Sequence, residues 1–131
     1  MNKKLNQILA EISAGELLDK ITILEIKMEK ITDSEKLKDI NKELSSLTKT
    51  SDEKIPDKKR IENLVSDLKK INLKLWDIEE NKRRAEKEKK FDETFIQLSR
   101  DVYKSNDERA KIKLKINDIL GSNIKEVKSH Y

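Results

Sequence analysis

The sequence has no cysteine, one histidine, one proline and two glycines. Each scarcity removes a class of chemistry. Without cysteine there is no disulfide, no thiolate zinc site and no thiol nucleophile. The single histidine, His130, lies one residue from the end. A histidine-rich metal centre is excluded, and a Ser–His catalytic pair has no support. So little glycine and proline argues against disorder of the Pro/Gly-rich kind. Nothing approaches the ~18 consecutive apolar residues of a membrane-spanning helix. The opening "MNKKLNQILAEISAG" places Gln7 and Glu11 where a signal peptide needs an apolar run. The expectation is a cytoplasmic protein without a membrane span.

What the sequence has in excess is charge. Charged residues make up 43 % and hydrophobic residues 34 % of the 131, against usual shares of ~25 % and ~45–50 %. Long amphipathic helices tolerate this balance, because each needs only a narrow apolar stripe. The net charge of +4 arises from 30 basic and 26 acidic residues of interspersed sign. The most basic run, 82–90, has no aromatic residue among its charges, so it reads as a solvated helix end and nucleic-acid binding is not expected.

The apolar spacing places the helices. Leu5, Ile8, Leu9 and Ile12 suit a short helical arm over 1–12. Ser13 and Glu16 form a capping box that opens a helix over 14–31, in which Leu17, Ile21, Leu24, Met28 and Ile31 keep a heptad spacing. Asp33 or Ser34 caps a second helix, 35–48, joined to the first by a short break that favours an antiparallel hairpin. "TKTSDEKIPDKK" (48–59) is the clearest loop. A third helix spans 57–89 on Ile61, Leu64, Leu68, Ile71, Leu75 and Ile78, and a fourth spans 92–120, with Asp92 as its cap and Gly121 at its end. The predicted fold class is therefore all-α. It is an antiparallel helical bundle with two long helices in a coiled-coil-like hairpin and a shorter helical hairpin packed on it, in four-helix-like fashion. Residues 13–131 form this single domain. The overhang of the long helices predicts a homo-oligomer, most simply a dimer.

Three stretches break the apolar pattern. "ELLDKITILEIK" (16–27) holds Asp19, Lys20, Glu25 and Lys27. "NLKLWDIEENKR" (72–83) carries the only tryptophan, Trp76. "RDVYKSNDERAKIK" (100–113) puts Arg100, Tyr103, Asn106, Arg109 and Lys113 close to one helical face. Packing of the first, third and fourth helices would let the three meet. Lys20, Lys27, Arg100, Tyr103, Asn106, Arg109 and Lys113 are then the candidate anion-binding residues, with Arg as a planar fork and Lys as a point charge for phosphate or carboxylate. The competing reading is a helix interface with buried polar pairs. Trp76 adjoins the Leu75 seam and is expected in the core rather than as a stacking platform for a sugar or base. Adjacent Glu79 and Glu80 point about 100° apart and cannot act as an acid–base couple. The sequence identifies no catalytic residue, and no cofactor or metal site is expected.

"SAGELLDKITILEIK" (13–27), "NLKLWDIEE" (72–80), "FIQLSRDVYKSNDERAKIKLKIN" (95–117) and "LGS" with "EVKS" (120–129) together resemble an uncharacterised bacterial protein family of about this length. The resemblance implies no activity and no catalytic residue. Genes of that family often lie near surface-polysaccharide and glycosyltransferase genes, which implies a setting. The functional expectation is a non-catalytic interaction or accessory module, with surface-polysaccharide biosynthesis as the setting that the resemblance implies. The alternative is a small binding protein or enzyme for an anionic, phosphorylated or carboxylated, metabolite.

Overall fold

Side-chain caps punctuate the chain where the sequence offers them. Ser13 accepts the Glu16 N–H, Asp33 accepts the Glu35 and Lys36 N–H groups, and Asp92 accepts the Phe95 N–H. Each satisfies donors that a helix start leaves unpaired. Gly121 closes the last helix in the left-handed region at φ 63°, where only glycine escapes a steric cost. In the computed structural model, which describes residues 4–127, these signals bound four helices. They are α1 (Ala14–Lys30), α2 (Ser34–Lys54), α3 (Glu62–Glu88) and α4 (Glu93–Leu120), with a 3-10 turn, Lys59–Ile61, leading into α3. The described residues contain no strand.

α3 and α4 form an antiparallel hairpin. Asn72 meets Arg109 near its middle, and Lys82 lies over the ring of Phe95 near its tip. α1 runs antiparallel to α4, since Gly15 meets Asn117 while Asp19 meets Arg109. The core lies between these helices and is built from Leu17, Leu18, Ile61, Leu68, Ile71, Ile112 and Ile116, with Ile55 joining from the end of α2. Leu68 and Ile116 have no exposed surface. Full burial of such side chains contributes roughly 1.5–3 kcal/mol each.

Four local expectations need correction. α2 packs on α1 alone among the helices, so the centre is a three-helix packing with α2 outside it, rather than four-helix-like. α2 also runs to Lys54, past the expected end at 48, because Leu44, Leu47, the buried Ser51 and the buried Ile55 continue one face beneath a polar surface. α3 starts at Glu62 rather than 57, behind the 3-10 turn. The arm is not helical over residues 4–12, and Leu5, Ile8 and Leu9 are exposed. A helix this short has too few hydrogen bonds to offset its nucleation cost unless its apolar face is covered. Residues 1–3 of the expected arm, and His130, lie outside the described residues.

Candidate functional site

The three pattern-breaking stretches do meet. At the crossing of α1, α3 and α4, Asp19 is only 3 % exposed. Its carboxylate accepts a 2.8 Å hydrogen bond from Asn72 Nδ2 and lies 3.6 Å from Lys113 Nζ and 3.7 Å from Arg109 Nε. Asn72 Nδ2 also donates to Thr22 Oγ1 at 2.9 Å, and Asn72 Oδ1 accepts from Arg109 Nη1 at 3.4 Å. Thr22 closes the circuit by donating to the Asp19 carbonyl at 2.8 Å. A buried carboxylate is costly unless it is paired and hydrogen-bonded, and here it is both.

Lys113 lies at the centre of three carboxylates. Its Nζ donates to Glu16 Oε2 at 2.6 Å and to Glu126 Oε2 at 3.2 Å, beside Asp19. Burial pulls the ammonium pKa down. The Glu16 hydrogen bond and the Asp19 charge outweigh burial and hold it above its ordinary value. Burial likewise pushes Glu16 up, but hydrogen bonding and charge from Lys113 prevail and hold it low. Lys113 is therefore protonated at neutral pH, with no lone pair to act as a base or nucleophile.

The start of α1 is closed by the end of α4 and the segment after it. The Gly15 N–H donates to Asn117 Oδ1 at 2.7 Å, the Ala14 N–H to Ser122 Oγ at 3.2 Å, and the Glu16 N–H to Ser13 Oγ at 3.1 Å. Ser13 Oγ in turn reaches Glu126 Oε1 at 3.4 Å. A helix N-terminus binds anions through free amides, and these three are taken. The expected capping box is half formed, because the Glu16 side chain turns to Lys113 instead of back to Ser13.

Of the seven candidate anion-binding residues, Arg109 and Lys113 join the network directly. Lys20 touches its edge through Glu16 at 3.8 Å and is otherwise exposed. Asn106 is exposed beside Arg109. Arg100 and Tyr103 are exposed on α4, and Lys27 lies two helical turns beyond Lys20 on α1, so none of these three joins the network. The neighbouring buried position on α4 is Ser105, which was not among the candidates. Trp76, expected in the core, is half-buried at a groove.

Sequence reasoning missed Glu16, Thr22, Asn117, Ser122 and Glu126. Asn117 had a usable signal, since Arg109, Lys113 and Asn117 recur every four residues on one face. Glu126 had none, because its segment has no apolar period. Among the described residues, no cluster of three or more metal-ligating side chains is placed to hold an ion, and no helix is long and apolar enough to cross a membrane.

The model of a family of unknown function, DUF6165, matches residues 8–131, and the chain belongs to that family. No curated protein and no solved structure matches it.

Proposed function

We propose that this member of the family is a non-catalytic interaction module that works as a symmetric pair of chains. One observation carries the reading. The two cations of the expected anion face that join the network, Arg109 and Lys113, are already neutralised by carboxylates of the same chain, whereas the arm exposes Leu5, Ile8 and Leu9 at 79–85 %. Three large aliphatic side chains at helical spacing, left in water, favour association. Phe91 and Ile96 add exposed apolar surface at the opposite end of the α3–α4 hairpin. Two copies that cover one another's arms would let residues 5–12 adopt the helix that their spacing encodes and that a lone arm cannot hold. A two-fold pair is the simplest closed arrangement.

Sedimentation equilibrium at micromolar concentration tests this. The expected mass is twice the 15.4 kDa of one chain. Ile8→Asp with Leu9→Asp is expected to return the monomer with unchanged core helicity. A wild-type chain that sediments at 15.4 kDa overturns the reading.

A further inference from the structure

Trp76, Asn106 and Arg109 stand around a groove of about 290 Å³ at the crossing of α1, α3 and α4. Its floor is rigid. Asn72 is buried, donates to Asp19 and Thr22, and accepts from Arg109, so the guanidinium is held in place while 31 % of its side-chain surface remains exposed. Two donors at the groove are unspent. The Trp76 indole N–H and the Asn106 amide make no hydrogen bond among the described residues. Half-buried indole N–H groups usually find a partner.

Charge and shape then narrow the ligand. Arg109 is paired with Asp19, and Glu79, on the rim, is paired with Arg83 at 2.8 Å. The groove thus offers no uncompensated cation for a phosphate and no uncompensated anion for an amine. Ile23 and Val102 supply aliphatic walls beside the indole. A fitting ligand is neutral, has one apolar face for these walls, and carries several hydroxyls at its edge for the dispersed amide, guanidinium and carboxylate. A flat base would use the indole but not that spread of polar groups. We propose that this groove binds a neutral polyhydroxylated ring, a pyranoside, with its apolar face on Trp76 and its hydroxyls on Asn106, Arg109 and Glu79.

Trp76 is the only tryptophan and lines the groove, so its emission senses binding there, and Asn106→Ala ties the signal to this groove. The full chain is titrated with the methyl glycosides of glucose, galactose and mannose. One of them is expected to shift the emission saturably at millimolar concentration and to show saturation-transfer NMR signals from its ring protons. Asn106→Ala alters an exposed side chain and is expected to weaken binding about three- to tenfold, the loss of one neutral hydrogen bond. Neither an emission shift nor saturation transfer with any of the three overturns the proposal. So does binding of inorganic phosphate or adenosine at this groove in their place, or an affinity that Asn106→Ala leaves unchanged.

Discussion

The backbone N–H of Gly15 donates to the side chain of Asn117 across 2.7 Å, and the two helices touch there with no room for a side chain on α1. A Cβ on Gly15 would lie 2.6 Å from the Lys113 carbonyl oxygen and 3.1 Å from Lys113 Cα. Both are backbone atoms, so α1 would have to move. Gly15→Ala is therefore expected to destabilise the fold by about 1–3 kcal/mol, although alanine is the better helix former. Urea unfolding followed by circular dichroism measures it, and a raised midpoint would contradict the close approach.

Removing Asp19 uncovers more than one partner. Asp19→Ala takes an acceptor from Asn72 and a counter-charge from both Arg109 and Lys113. Breaking a buried pair from one side costs roughly 3–5 kcal/mol. Once Asp19 is gone, losing Arg109 matters less. The Asp19→Ala/Arg109→Ala double variant is therefore expected to lose less than the sum of the singles, with a coupling of about 0.5–3 kcal/mol. Additive losses would mean that the two side chains act independently.

The helices themselves were legible because their signals are local. Asp33, Asp92 and Gly121 cap where their residue types predict, and Leu68 and Ile71 of the expected third-helix seam enter the core. The site was half legible. Arg109 and Lys113 broke an apolar pattern on their own helix, which one sequence can display. Their partners lie on other elements, and Glu126 lies on a segment with no period at all. Neutralisation of the cations is a tertiary fact, so the same residues read equally well as an anion pocket or as an internal clasp. The true end of α2 was misjudged because Ser51 is polar by type yet buried by position.

The Lys113–Glu16 contact has a definite pH signature. Glu16 is held below its ordinary 4.5, so its contribution to stability is present above 4.5 and is lost as pH falls through the lower folded value. Lys113 is held above its ordinary 10.5, so its contribution is present below 10.5 and is lost as pH rises through the higher folded value. The gap in unfolding free energy between wild type and Glu16→Gln is thus expected to be widest near neutrality and to close on acidification below 4.5. Urea titrations at a series of pH values measure this gap. A gap that persists in acid would assign the effect of Glu16 to packing rather than charge.

Ser105 carries the opposite sign from Gly15. It lies on α4, 1 % exposed, and its hydroxyl has no hydrogen-bond partner among the described residues. A buried hydroxyl without a partner has lost its water and gained nothing in return, at a cost of about 1–3 kcal/mol. Alanine removes only the oxygen, so it introduces no clash, and it also favours the helix. Ser105→Ala is expected to raise stability by about 1 kcal/mol, because the small void it leaves offsets part of the gain. The urea midpoint reads this directly. A lower midpoint would mean that the hydroxyl is engaged in the folded protein, for instance by an ordered water, and that its burial is compensated after all.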